Sequence, residues 1–223
     1  MMMFTLLILS ATRIQAQKTE QLPMYKVEAG FRFTTIIADF KMQTAQGNKV
    51  SEQAIPGYGA GSFMGYNISK HLGVQIEINY SSVSRKFTET GITRTVSLQY
   101  IDIPLLLSFN TNKLRRVNFN IVAGPQLGVN TGSNIHSSGE AEMISSQPQL
   151  SVRTTNMGLA YGAGIDFGLN HKHTFRLAMG YRGMLGLYHI NNNKATLNSG
   201  SYYIMQHTPL HTYSVYLGLS III

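Results

Sequence analysis

A chain of 223 residues with 43% hydrophobic residues is long enough for one domain of ordinary size. Only 13% of the residues are charged, and they comprise 18 Lys and Arg against 10 Asp and Glu. The apolar content excludes a disordered chain. The absence of cysteine excludes a disulfide scaffold, zinc sites built on cysteine and thiol catalysis. The formal charge of +8 suggests a nucleic-acid partner only if the positive charges gather on one surface.

Residues 1–17 predict a secretory signal peptide. An apolar stretch is followed by small and polar residues, with Ala16 just before Gln17. Three methionines open the stretch and no Lys or Arg precedes it, so we expect the signal to begin further upstream. A buried N-terminal helix or strand is the alternative. The signal-peptide interpretation leaves residues 18–223 as the mature domain.

The mature chain alternates apolar and polar residues with a period of two, the pattern of a strand with one apolar face. Residues 72–80 show it most clearly, because every even position is apolar. No run of 18 apolar residues occurs, which argues against membrane helices. In chain order the pattern predicts strands at residues 25–33, 57–68, 72–80, 98–109, 117–129, 157–169, 175–182 and 213–223.

The predicted connections alternate strictly between long and short. They run over residues 37–56, 69–71, 82–97, 110–116, 130–156, 170–173 and 188–207. Long loops at one end and short turns at the other are typical of transmembrane barrels whose two termini lie on the short-turn side. We therefore predict an all-β fold, an eight-stranded antiparallel up-and-down transmembrane β-barrel. Its place would be the bacterial outer membrane, with both termini periplasmic.

The composition of the polar face decides which face points inward. A soluble ligand-binding barrel would turn its apolar face inward and its polar face to water. Here the polar face is rich in glycine and carries few charges, which suits a narrow lumen better than a water-facing surface. The predicted lumen charges are Lys26, Glu28, Arg32, Glu77, Asp102, Asp166, Arg176 and Arg182. We interpret them as a structural salt-bridge network that fixes strand register, with a rearrangeable gate or proton-responsive channel as the alternative.

Pro104 lies inside a predicted strand, where it cannot donate a ladder hydrogen bond. We predict a strand bulge at this residue, because bulges accommodate proline within sheets. A hinge that gates the lumen is the functional alternative.

No pattern of residues predicts catalysis, a metal site or a cofactor. His171 and His173 share a short turn with no acid nearby, and His207 and His211 lack further converging ligands. Ser214, His211 and Asp166 could be named as a triad, but nothing in the sequence brings them together. Gly57, Gly59 and Gly61 are followed by no helix, which excludes a phosphate loop.

Several segments resemble the PorT-type outer-membrane β-barrel family of Bacteroidetes. They are Val27-Glu-Ala-Gly30-Phe, Tyr100-Ile-Asp-Ile-Pro104-Leu-Leu-Leu with the turn at Asn110, Ala123-Gly-Pro-Gln, Gly162-Ala-Gly164, and Tyr181-Arg-Gly183-Met-Leu. The resemblance covers residues 25–223. It implies a small surface barrel without an assigned reaction, in a family whose name-giving member is tied to a protein-secretion and gliding apparatus.

The predicted function is therefore non-enzymatic: surface structure, adhesion or scaffolding. A small pore or a component of a protein-secretion apparatus is the second hypothesis, and an outer-membrane lipid-modifying enzyme is the third. The expected partners are outer-membrane lipids, together with a surface or secretion-system protein. Nucleic acid is not expected, because the positive excess gathers in the short turns, at Lys70, Lys113, Arg115, Arg116 and Lys172, where anionic lipid headgroups suffice.

Overall fold

The structure, a computed structural model, describes residues 26–40, 42–44, 51–89, 92–139, 153–189, 203–205 and 209–223. The predicted signal peptide at residues 1–17 lies outside this part of the chain. No helix in the described part is long and apolar enough to cross a membrane.

Eight strands close into one barrel. They are β1 (Val27–Asp39), β3 (Ser51–Asn67), β4 (Leu72–Glu89), β5 (Ile92–Asn110), β6 (Val117–Ser138), β7 (Thr155–Gly168), β8 (Phe175–His189) and β10 (Pro209–Ile222). β2 (Met42–Thr44) and β9 (Tyr203–Met205) form a separate antiparallel pair. Each barrel strand pairs antiparallel with its neighbours in the chain, and β1 closes the barrel on β10. The predicted all-β, eight-stranded antiparallel barrel is confirmed.

An apolar band faces outward around the barrel. Ile78, Ile121 and Val215 are 58%, 64% and 60% exposed, although they belong to regular strands. In β4 the band covers residues 72–80, which rise about 23 Å along the barrel axis at a tilt of about 40°. This height matches the apolar band of roughly 25 Å that spans an outer membrane. The alternative of a soluble barrel with an apolar interior is therefore wrong.

Beyond this band the same strands reverse their polarity. In β4 the outward side chains change from Ile78 and Tyr80 to Ser82, while the inward Val83 and Phe87 become almost fully buried. β5 changes in the same way across residues 100–101. We call the part of β3–β6 beyond the band the extension sheet; it comprises residues 51–56, 81–89, 92–100 and 130–138.

The extension sheet corrects the predicted loops. Residues 82–97, predicted as a connection, form a paired hairpin of β4 and β5, and the predicted loop 130–156 begins as strand up to Ser138. The strands continue because their apolar residues move from the outward to the inward positions. The apolar face therefore changes from the outer to the inner side of the sheet, although the hydrogen-bonded ladder continues across this switch. Residues 140–152 lie outside the described part.

The predicted bulge at Pro104 is wrong. In the pairing of β5 with β6, the register is the same at Pro104 and at Leu107. The register shift between these two strands lies elsewhere, between Gln99 and Tyr100. On the β4 side the ladder is interrupted near Pro104 but resumes in the same register. The missing N–H group therefore opens the ladder without requiring an inserted residue.

The boundary at Tyr80 can be tested with single cysteines, because the natural chain contains none. We expect Ser84→Cys in lipid nanodiscs to react with a water-soluble maleimide, because its side chain points outward above the apolar band. Ile78→Cys points outward on the same strand but within lipid, and should stay unmodified until the barrel is unfolded. Mass spectrometry measures the modified fraction. Equal labelling of both variants would contradict a membrane boundary at Tyr80.

Candidate functional site

The lumen is the candidate functional site, and glycine makes room in it for long side chains. Tyr216 points inward from β10 and is 7% exposed. Its hydroxyl lies against Gly164 of β7 and Gly180 of β8, where an added Cβ would come within 2.3 and 2.7 Å of that oxygen. Neither position could carry a larger residue with Tyr216 in place. The narrow interior is therefore filled by side chains that reach across it.

Arg176 closes the lumen at the short-turn end. Its side chain is fully buried, and its Nε donates to Asp166 Oδ2 at 2.5 Å. Its two terminal nitrogens donate to the backbone carbonyls of Lys113, Arg115 and His173 at 3.0–3.2 Å, and to that of Asp166 at 3.3 Å. One guanidinium thereby joins β7 and β8 to the β5–β6 turn and the β7–β8 turn.

Lys113 extends the same cluster across the lumen. It belongs to the β5–β6 turn, but its ammonium group turns inward and lies 2.7 Å from Glu28 Oε2 and 3.8 Å from Asp166 Oδ2. Ser220 donates to the other oxygen of Glu28 at 3.0 Å, and Asn118 donates to Asp166 at 2.7 Å. Both carboxylates are therefore compensated by charge and by hydrogen bonds, as buried charges require.

Glu77 organises the middle of the lumen. Its Oε1 accepts from Arg32 at 2.6 Å and from Arg182 at 2.9 Å, and its side chain is 4% exposed. Gln75 and Asn79, the inward neighbours on the same strand, also donate to it. A single carboxylate therefore joins β1, β4 and β8 across the interior.

Aromatic rings support the guanidinium of Arg32. Its central carbon lies 4.0 Å from the centre of the Phe63 ring and 4.9 Å from that of Tyr216. Stacking on both rings stabilises a cation that is largely removed from water. Phe63 interrupts the glycine-rich inward face of β3 because it provides one of these rings.

Asp102 lies above the Glu77 cluster and has a different environment. Its carboxylate accepts from Ser81 at 2.9 Å and from Gln126 at 3.0 Å, and no ion pair joins it to a cation in the described part of the chain. A cavity of about 60 Å³ separates it from Arg32 and Arg182. Arg32 Nε and Arg182 Nη1 have no hydrogen-bond partner among the described residues, and this cavity is large enough for water that would complete their hydrogen bonding.

An apolar plug lies at the opposite end from Arg176. We give this name to Ile36, Ala38, Phe40, Val83, Phe87, Val96, Leu98, Tyr100, Met184 and Leu210, which pack as one buried cluster. Phe40 and Phe87 lie with their ring centres 6.0 Å apart. The plug fills the mouth of the barrel inside the extension sheet, and its dry packing excludes water from that section of the lumen.

Arg85 holds the rim around the apolar plug. It points inward from β4 and forms ion pairs with Asp39 at 2.7 Å and Glu52 at 2.8 Å. It also donates to the carbonyl oxygen of Ala38 at 3.1 Å. These contacts join the end of β1 to the extension sheet.

The structure places the predicted lumen residues in three groups. Glu28, Asp166 and Arg176 meet at the short-turn end, while Arg32, Glu77 and Arg182 meet in the middle. Asp102 stands alone above them. The prediction that Lys26 faces the lumen is wrong, because Lys26 precedes the first paired residue of β1 and is exposed.

Lys113 takes the place predicted for Lys26, so the lumen remains neutral. Between the short turns and the apolar plug, the described residues provide four cations and four anions. They are Arg32, Lys113, Arg176 and Arg182 against Glu28, Glu77, Asp102 and Asp166. From the sequence, Lys113 is predicted to belong to the basic short turns, because a turn residue lies on neither face of a strand. The remaining turn cations Lys70, Arg115, Arg116 and Lys172 are exposed.

The residues considered for catalysis do not converge. Asp166 pairs with Ala178 of β8, and Ser214 pairs with Arg182 of the same strand. Asp166 and Ser214 are therefore separated by about four residues, or about 13 Å, along the strand direction. Asp166 already binds Arg176, and His211 pairs opposite the outward-facing Leu185. Among the described residues no group of three or more His, Cys, Asp or Glu is placed to hold a metal ion.

Solved structures of outer-membrane barrels share this fold. OprG from Pseudomonas aeruginosa superposes with a TM-score of 0.56 at 13% identity, covering 88% of this chain and 96% of its own. AlkL, solved in lipid bilayers, gives a TM-score of 0.52 at 11% identity and covers 90% of both chains. The neisserial surface protein NspA gives 0.48 at 11% identity, covering 88% of this chain and 97% of its own.

At these identities the likeness concerns the fold alone. No curated protein sequence matches the chain. A family model described as outer membrane protein beta-barrel domain matches residues 15–192. The chain therefore belongs to the outer membrane protein beta-barrel domain family, which supports a location in the outer membrane.

Proposed function

We propose that this protein is a non-enzymatic integral barrel of the outer membrane, closed to solutes, with a structural, adhesive or scaffolding role at the cell surface. The observation that carries this proposal is the filling of the lumen. Arg176 and Lys113 close the short-turn end, the Glu77 cluster crosses the middle, and the apolar plug fills the other mouth. A structural lumen leaves the outward surfaces as the functional ones.

The proposed orientation puts both termini and the short turns in the periplasm and the extension sheet at the cell surface. Its support is the asymmetry of the barrel: the short turns share one rim with the first and last described residues, Lys26 and Ile223, while four strands rise beyond the apolar band at the other. This is the usual arrangement of outer-membrane barrels. The segments around Tyr100–Pro104 and Tyr181–Gly183 favour the PorT-type group of Bacteroidetes within the wider family.

Planar-bilayer recordings test the closed lumen. We expect the purified protein to insert without conductance steps, because side chains fill the interior at both ends and in the middle. A porin reconstituted in the same bilayer confirms that insertion and detection work. Stable single-channel steps from the folded barrel would overturn the proposal in favour of a small pore.

A further inference from the structure

The outward face of the extension sheet differs in chemistry from an ordinary water-facing sheet. Hydroxyl and amide side chains dominate it, in rows that run from strand to strand. Its outward residues are Ser51, Gln53, Ile55, Ser82, Ser84, Lys86, Thr88, Thr93, Thr95, Ser97, Gln99, Gly132, Asn134, His136 and Ser138. This set contains no carboxylate. Its one permanent charge is Lys86, which lies between Gln53 of β3 and Thr95 of β5.

This face is held rigid from behind and along its rows. The apolar plug packs against the inward side of the same strands, with Val83, Val96 and Leu98 at most 1% exposed. Across the strands the hydroxyls of Ser84 and Ser97 hydrogen-bond at 2.8 Å. A fixed surface of hydroxyl groups loses little conformational freedom when it binds a partner.

The height of the face distinguishes between the lipids that could contact it. Residues 81–88 of β4 rise roughly 20 Å along the barrel axis at a strand tilt of about 40°. The headgroup region of a phospholipid leaflet is only about 5–8 Å thick. Most of the face therefore stands above phospholipid headgroups, at a level that only a tall headgroup reaches.

The face continues directly from the lipid-contacting surface. Tyr58 and Tyr80 point outward at the boundary, 66% and 39% exposed, with Ile78 and Met64 below them. One strip of β3–β5 thus changes from apolar side chains to tyrosine rings and then to hydroxyls around a lysine. That order matches an amphiphile with acyl chains, a saccharide ring at the interface and a polyhydroxylated, phosphorylated headgroup.

We propose that the outward face of the extension sheet binds the saccharide headgroup of a phosphorylated glycolipid in the surrounding leaflet. Lys86 contacts a headgroup phosphate, the Ser and Thr rows hydrogen-bond sugar hydroxyls, and Tyr58 and Tyr80 border the first sugar. The absence of carboxylates from the face removes repulsion of the phosphates. This inference rests on the proposed orientation, since such lipids occupy the outer leaflet.

Nanodiscs of phosphatidylethanolamine and phosphatidylglycerol, with and without lipopolysaccharide, test the face directly. We expect lipopolysaccharide to raise the temperature at which the folded form is lost in electrophoresis. Lys86→Glu should weaken the apparent affinity about tenfold, because it replaces an attraction to phosphate by a repulsion. Lys26→Glu, the same charge change at an exposed residue outside the turns that face anionic headgroups, should bind as the natural protein does.

The control measurements separate the possible outcomes. Equal unfolding temperatures of Lys86→Glu and the natural protein in phospholipid-only discs show that the variant folds. No stabilisation by lipopolysaccharide, or an equal loss in Lys26→Glu, would overturn the proposal. If the delipidated core saccharide binds as tightly as lipopolysaccharide, the ligand is a soluble glycan and the proposal of a membrane lipid is wrong. Discs that carry lipopolysaccharide in both leaflets do not report orientation, because the extension sheet meets this lipid in either orientation of the barrel. Labelling of Ser84→Cys from outside intact cells therefore tests the orientation separately.

Discussion

Replacing Glu77 with Gln is expected to lower the free energy of unfolding by about 3–5 kcal/mol. The glutamine keeps the size of the side chain but removes the carboxylate that Arg32 and Arg182 both contact. Two guanidinium groups would then remain largely buried, with the carboxylate of Asp102 across the cavity that they share. Urea titration of the barrel in lipid vesicles, followed by electrophoretic mobility, measures the change.

A second variant distinguishes lost charge balance from a general packing defect. Glu77→Gln combined with Arg182→Met leaves Arg32 and Asp102 as one cation and one anion. We expect the double variant to be more stable than Glu77→Gln alone, because neutrality is restored. If Glu77→Gln unfolds with the natural midpoint, the cluster does not stabilise the barrel. Conductance steps that appear only in Glu77→Gln would favour the alternative of a rearrangeable gate.

Replacing Arg176 with Met is expected to destabilise the barrel by a similar amount, about 3–5 kcal/mol. Methionine fills part of the space, but Asp166 loses its shortest ion pair and four backbone carbonyls lose their donor. Backbone carbonyl groups that lose their donor add to the cost of weakening the charge compensation of Asp166.

The Arg176→Met variant also has a local readout. Arg176 holds the carbonyl oxygen of Arg115, so trypsin should cleave after Arg115 or Arg116 faster in the variant than in the natural protein. Lys172→Gln, in the neighbouring turn, is the matched control, because Lys172 is exposed. Unchanged trypsin sensitivity in Arg176→Met would show that Arg176 does not fasten the β5–β6 turn.

The strand pattern was predictable where one physical constraint acts along the whole strand. Between Leu72 and Tyr80 every outward position must be compatible with lipid, so the period of two is unbroken. Beyond Tyr80 the constraint reverses, because water lies outside and the apolar plug inside. The paired residues 82–89 and 92–97 therefore fall within the predicted connection 82–97, although they contain alternating apolar residues in the opposite phase.

The lumen charges were predictable as a set but not as contacts. Alternation places Glu77 and Arg182 on the inward face, because each lies one residue from an outward apolar position. Their ion pair joins residues 105 positions apart in the chain, and only closure of the barrel brings them together. The inward direction of Lys113 was not predictable for the same reason, because the contacts of a turn side chain depend on the residues that lie across the lumen.

The sequence by itself determined the eight-stranded barrel, its apolar outward band and a sparse, glycine-rich interior, because these follow from side-chain alternation and connection length. Only the tertiary structure decided that Glu77 forms ion pairs with two arginines and that Lys113, not Lys26, faces the lumen. It also decided that Pro104 causes no bulge, and that four strands continue beyond the band around an apolar plug. These features depend on what each strand meets across the barrel, and a linear pattern does not contain that information.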